Sequence, residues 1–164
     1  MANAFIGGEH LSAKLHDMME KLKIEQTVRV GFLEGSTCGI HNDQSAPDIA
    51  FINEYGAPEA GIPPRPFFRT AVSTNSAQWG SKLGGALKLN DYDSEKAMSA
   101  LGLLVGEQIQ LSITQTTDPP NKDWIWKKGG KGFDKPLEWS KNMKRSIAYE
   151  LVGTGEQHKA NEGA

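Results

Sequence analysis

At 164 residues, with a formal net charge of −2 and 38% hydrophobic residues, the chain is long enough for one domain with a real core, expected over 1–152, and a polar disordered tail over 153–164. A sequence pI near 6.1 gives no global attraction to nucleic acid or to an anionic membrane, so any such contact must come from a local patch. Cys38 is the single cysteine, which excludes an intrachain disulfide and suits a reducing cytoplasm. No apolar run approaches the roughly 20 residues of a membrane span, and the first residues lack the basic start and apolar stretch of a signal peptide. A soluble, unexported chain is expected.

Residues 1–8 read as a flexible lead. Over 9–23, Leu11, Leu15, Met18, Met19 and Leu22 recur at spacings of three and four, with Lys14, Asp17, Glu20 and Lys21 between them, which predicts an amphipathic helix. From Thr27 to Glu34 the period changes: Val28, Val30 and Phe32 alternate with Arg29, Gly31 and Leu33, the pattern of a strand. A polar loop over 35–46 follows.

Residues 47–72, PDIAFINEYGAPEAGIPPRPFFRTAV, organise the rest of the chain. Pro47 suits the first position of a helix about two turns long, and Gly56 after Tyr55 supplies its stop. Ile49, Ile52 and Tyr55 or Gly56 can share a face of that helix, with Phe51 off it and Asn53 and Glu54 to the side. Each proline in Gly61-Ile62-Pro63-Pro64-Arg65-Pro66 fixes its own φ and pushes its predecessor out of the α region, so Ile62, Pro63 and Arg65 should be extended. Flanked in this way, the Arg65 guanidinium is expected to reach outward to a carboxylate or backbone partner rather than into a core.

Pro66 then restarts a helix whose stripe is Phe68, Ala71, Val72, Trp79, Leu83, Ala86 and Leu87. Gly80, Gly84 and Gly85 each cost about 1 kcal/mol against alanine, so a bend or early end is expected near Gly84. Asp93 or Ser94 is a suitable N-cap for a long helix with Met98, Leu101, Val105, Gln108, Ile109 and Ile113 on one face, the expected centre of the core. Residues 116–136 form a loop longer than compact domains usually hold, expected to be mobile in the free subunit and ordered by a partner. One helical turn is expected over 139–144. Ile147, Tyr149 and Leu151 then alternate with Ser146, Ala148 and Glu150 as a second strand. The fold class is α+β, a small antiparallel sheet packed against three or four helices, with long loops.

Chemistry is sparse. Cys38 and His41 lie close in sequence, but zinc needs four ligands, and only His10, His16 and His158 could add imidazole. A thiol nucleophile also needs a base that the fold, not mere nearness in sequence, puts in place. Asp91 and Asp93 suit helix capping better than paired acid–base work. Gly129-Gly130-Lys131-Gly132 lacks the upstream glycine and the following Ser or Thr of a phosphate-binding loop. The strongest binding signal is Lys122, Lys127, Lys128, Lys131 and Lys135 with Trp124 and Trp126 interleaved. Cations and aromatic platforms suit a nucleic acid, while tryptophans on a glycine-rich loop suit a neighbouring subunit. The second reading is favoured.

Three blocks, INEYGAP (52–58), GIPPRPFFRTAV (61–72) and GFDKPLEWSKNMKRSIAYELV (132–152), resemble in content and order the tail-completion or head–tail joining (neck) proteins of long-tailed bacteriophages. The residues that carry the resemblance are Glu54-Tyr55-Gly56, Pro64-Arg65-Pro66-Phe67, and Lys135-Pro136-Leu137 leading to Ser146-Ile147. The chain departs from the family pattern at 138–141, where EWSK stands in place of an Asp-Thr-Gly turn.

The resemblance implies a non-enzymatic virion protein without a cofactor, made in the host cytoplasm, forming a homo-oligomeric ring that joins the tail to the head connector. Tyr55, Gly56, Arg65, Phe67, Phe68, Trp124 and Trp126 would be structural or interface anchors. The loop from Lys122 to Lys135 would face a connector, tail-terminator or tail-tube protein, or packaged DNA in the channel. The other classes are a monomeric nucleic-acid-binding module built on the Trp/Lys loop and, more remotely, a hydrolase using Cys38 and His41.

Overall fold

The computed structural model describes residues 8–22, 26–34, 36, 45–120, 136–137 and 142–153. In chain order these form α1 (Gly8–Lys21), β1 (Gln26–Phe32), α2 (Ala46–Tyr55), a 3-10 turn (Pro58–Ala60), α3 (Phe67–Leu89), α4 (Ser94–Gln115), α5 (Asn142–Arg145) and β2 (Ile147–Gly153). The α+β class read from the sequence is the one observed. Cys38, His41, His158, Lys122, Trp124, Trp126, Lys127, Lys128, Lys131, Lys135, the EWSK departure and the tail beyond Gly153 lie outside the described residues. No helix among the described residues is long and apolar enough to cross a membrane.

β1 and β2 pair antiparallel from Gln26↔Gly153 to Phe32↔Ile147. Gly153, assigned to the tail in the sequence reading, is therefore the last strand residue. Two strands alone are marginal in water, and α4 supplies the missing support on one face. The approach is close enough to need glycine. A Cβ on Gly102 would lie 2.7 Å from Tyr149 Cδ2 and 3.0 Å from Val28 Cγ2.

α4 is the central helix, as its spacing predicts, and Asp93 caps it by accepting from the Lys96 amide at 3.1 Å. α3 packs antiparallel along α4, tied by a 2.8 Å bond from Trp79 Nε1 to Gln108 Oε1. The core gathers Phe67, Ile109 and Ile113, all fully buried, with Ala50, Ala71, Val105, Leu137, Met143 and Ile147. Phe32 meets Phe67 edge-on with centroids 6.1 Å apart.

Two expectations are corrected. α3 does not end near Gly84 but runs as one helix to Leu89; pairing with α4 outweighs the local cost of its glycines, since tertiary packing carries most helical stability. The buried line of α2 is Ala46, Ala50 and Glu54, not Ile52 and Tyr55, which are exposed together with Phe51. Small residues face inward because the first turn of α3 packs close against α2, and Ile49 alone of the predicted face touches the core. α1 forms as its spacing predicts, and its apolar stripe lies in solvent: Leu11, Leu15 and Met19 are 59%, 51% and 68% exposed.

Candidate functional site

The chain reverses between α2 and α3 through a set of hydrogen bonds that joins the two helices. α2 opens with Ser45 accepting from the Asp48 amide and Pro47 in the first turn. It ends at Gly56, whose φ of 81° and ψ of 170° lie where side-chain-bearing residues are rarely found. A Cβ there would lie 2.8 Å from Pro64 N and 2.9 Å from Ile62 O, so glycine is required by conformation and by space. Beyond it, Ala57 and Ile62 exchange backbone bonds of 2.9 and 3.0 Å around the 3-10 turn. The proline run returns along α2, where the Arg65 amide donates to Asn53 O at 2.7 Å.

α3 begins with a difficulty that its sequence creates. Pro66 occupies the N-cap and has no side-chain acceptor, although the first amides of a helix need one. Glu54, buried in the last turn of α2, supplies it. Its Oε2 accepts from the Phe68 amide at 2.8 Å and its Oε1 from the Arg69 amide at 3.1 Å. Arg69 reinforces the contact through Nε on Glu54 Oε1 at 2.8 Å and Nη2 on Glu54 O at 3.3 Å. The Arg69 guanidinium also lies 4.9 Å from the Tyr55 ring centroid, and Tyr55 stacks obliquely on Phe51 at 4.7 Å. Farther along, Ser112 Oγ donates to Phe67 O at 2.7 Å, tying the same helix start to α4.

Arg65 is not held outward. It is only 6% exposed, and its Nε and Nη2 donate to the carbonyls of Pro119 and Pro120 at 2.8 and 3.2 Å. Burial lowers its pKa from the ordinary guanidinium value, but an arginine stays charged in proteins. Of the two roles open to it, Arg65 takes the structural one: it ties the segment after α4 to the proline run. Phe67 is likewise structural, in the centre of the core, whereas Phe68 is half-buried and Tyr55 is 53% exposed.

Beside the junction lies a groove of about 770 Å³ bounded by β1, Phe51, Tyr55, Phe68 and Arg69. Consecutive residues from Arg29 to Glu34 line it. Because strand side chains alternate between faces, such a run means that β1 presents its edge there. Arg29 and Glu150, 3.5 Å apart and both half-exposed, stand at the rim. The groove thus offers aromatic surface, a strand edge and charges of both signs. Among the described residues, no group of three or more His, Cys, Asp or Glu side chains converges to hold a metal.

The structure therefore brings Tyr55, Gly56, Arg65, Phe67 and Phe68 together around one junction. Sequence reasoning missed Glu54 and Arg69, which complete it, and Gly102, on which the sheet rests. One signal was present for Glu54: an acid in the last turn of a helix opposes that helix's dipole, which is tolerable when the acid serves the start of another. No family model, curated protein or solved structure matches the chain.

Proposed function

We propose that the chain is a non-enzymatic structural protein of the virion of a long-tailed bacteriophage, a tail-completion or neck subunit that forms a ring joining the tail to the head connector. One observation supports this reading most. The blocks INEYGAP and GIPPRPFFRTAV, which carry the resemblance, act as a single unit through the Glu54 bonds to Phe68 and Arg69, the Arg65–Asn53 bond and the close fit of Gly56 under Pro64. Leu137 and Ile147 of the third block sit in the same core. Motifs used this way build a rigid subunit and leave aromatic surface for neighbours, as an oligomer requires. Its partners in this reading are copies of itself, the connector, and a tail-terminator or tail-tube protein, with packaged DNA in the channel.

The test is genetic and visual. A phage deprived of this chain should accumulate filled heads and finished tails unjoined in electron micrographs, and supplying the chain should restore joined particles. Normal particles without it would overturn the reading. Replacing both Trp124 and Trp126 with Ala should then abolish joining at any salt, and neutralising Lys127, Lys128 and Lys131 should weaken it modestly. The reverse ranking, with DNA affinity falling steeply as salt rises, would favour the nucleic-acid-binding module.

A further inference from the structure

β1 has a bonded edge and an open one. Its ladder with β2 runs from Gln26 to Phe32, and in such a pair every second residue turns its N–H and C=O away from the partner strand. Among the described residues, only Ser36 bonds the backbone from Arg29 to Glu34 outside that ladder, at Leu33 O. The outward groups open on the groove of about 770 Å³, whose other walls carry Phe51, Tyr55 and Phe68. An open strand edge is completed by another strand, which supplies main-chain bonds and sets alternate side chains into pockets. Charge also marks this edge: Arg29 stands on it and Glu34 just beyond its end, five positions on.

One segment of the chain carries the complementary pattern. Outside the described residues, Trp124-Ile125-Trp126 is the only run of three β-favoured residues. Asp123 precedes it and Lys127 and Lys128 follow, so Asp123 and Lys128 are also five positions apart. We infer that residues 123–128 of a second copy add as a parallel strand to the open edge of β1. In that register Asp123 lies opposite Arg29, Trp124 and Trp126 lie opposite Val30 and Phe32, and Lys128 comes beside Glu34. The reverse direction would set Asp123 against Glu34 and the lysines against Arg29 and Arg69, and like charges placed opposite one another are destabilising. Charge therefore fixes the orientation, and a parallel strand on an antiparallel pair makes a mixed sheet, a common arrangement.

The aromatic match follows from the strand. Residues two apart share a face, so both indoles fall on the side of Val30 and Phe32, which pack against the core. The groove is within the roughly 300–1,000 Å³ of sites that enclose ligands of several rings. Two indoles bury about 300–500 Å² of their own surface; with the groove walls and six residues of backbone, the contact reaches about 1,200 Å² over both partners, the lower bound of stable complexes. The strand comes from a neighbour rather than from its own subunit. Pro120 is held by Arg65, two residues before Phe67, which packs on Phe32. Arg29 lies about 10 Å farther back along β1, and Asn121 and Lys122, reaching about 7 Å when extended, cannot cover that distance and also turn to run parallel to β1. Each subunit thus offers an edge to one neighbour and a strand to the next, a heterologous contact that closes into a ring when the rotation permits. The inference rests on the neighbour-facing role proposed for Trp124 and Trp126 and supplies the surface they meet.

Two single-cysteine proteins test it in a Cys38→Ser background: Lys127→Cys as donor and Leu33→Cys as acceptor, which the parallel register sets opposite each other. A short bis-maleimide should give a covalent dimer in the equimolar mixture and little with either protein alone, and Arg29→Cys as acceptor should give less than Leu33→Cys. Trp124→Ala with Trp126→Ala in the donor should cut the yield about tenfold or more, with far-UV circular dichroism unchanged. Arg29→Glu in the acceptor should lower the yield, and Asp123→Lys in the donor should restore it. No dimer in the mixture, a dimer favoured by Arg29→Cys, or a charge exchange that fails to restore the yield would overturn the inference. Joining is scored in particles and this contact in the purified chain. Joining that needs the chain while no dimer forms would remove the contact and leave the proposed function standing, whereas a dimer alongside normal particles that lack the chain would do the reverse.

Discussion

The junction between α2 and α3 and the helix α1 treat their helices in opposite ways. At the junction, a proline stands where a helix needs a cap, and a buried carboxylate from another helix takes over the exposed amides of Phe68 and Arg69. In α1, the most regular apolar spacing in the chain is left in solvent. The difference teaches that amphipathic periodicity reports a face that wants a partner, not where the partner is. Helices with weaker patterns, α3 and α4, hold the core because they pair with each other and with the sheet.

The comparison breaks first at Gly56. In Gly56→Ala, the new Cβ would meet backbone atoms of Ile62 and Pro64 at under 3.0 Å with φ at 81°, and neither can yield without undoing the reversal. A loss of about 3 kcal/mol or more is expected in urea unfolding. A loss under about 1 kcal/mol would mean that the reversal is soft and that the contrast with α1 is overstated.

Glu54→Ala comes next, at about 2–4 kcal/mol, because it removes acceptors from two amides and leaves them at a crowded helix start. Arg69→Ala should cost at most about 1 kcal/mol, since that side chain is 57% exposed and its ion pair is screened by water. A double-mutant cycle that attributed most of the Glu54 effect to Arg69 would replace capping with charge pairing as the cause. Arg65→Ala should cost about 2–4 kcal/mol, leaving the Pro119 and Pro120 carbonyls without these donors. Normal stability with impaired assembly would return Arg65 to the outward role that its flanking prolines suggested.

These residues also mark what a sequence can disclose. Elements whose signal is local were legible: the strand at Val28–Phe32, the cap at Asp93, the stop at Gly56, the proline run and the long α4. What was not legible depends on distant partners. Arg65 reads as exposed because its acceptors come from residues 119 and 120, more than 50 positions on. The inward face of α2 is alanine and glutamate rather than isoleucine because α3 packs there, which no spacing within α2 reveals. Nothing local marks Gly102, because the Tyr149 and Val28 side chains that require a glycine there come from the two strands.

Asp93 offers a milder contrast, a cap supplied by the adjacent residue rather than by another helix. Hydrogen bonding to Lys96, through its side chain and its amide, holds the Asp93 carboxyl below its ordinary value of 3.8. A depressed carboxyl contributes stability that is fully present above the unfolded value and is lost as pH falls through the folded one. Asp93→Asn should therefore lower stability slightly at neutral pH, where the charge contributes, and flatten the acid limb below pH 3.8 so that the two curves converge in acid. The site is exposed, so 1 M salt should shrink the difference. An unchanged acid limb would show that the cap holds without its charge.

The smallest expected effect belongs to α1, and it tests the comparison most directly. Leu11, Leu15 and Met19 are each more than half exposed and belong to no part of the described core. Replacing all three with Gln keeps helix propensity nearly constant, so subunit stability in dilute solution should change by no more than about 0.5 kcal/mol. Self-association by light scattering at high concentration should fall at the same time. A change in both would mean that α1 supports its own subunit as well as a neighbour. A loss of stability alone would place the partner of α1 within its own chain, and the two regions would then follow the same rule after all.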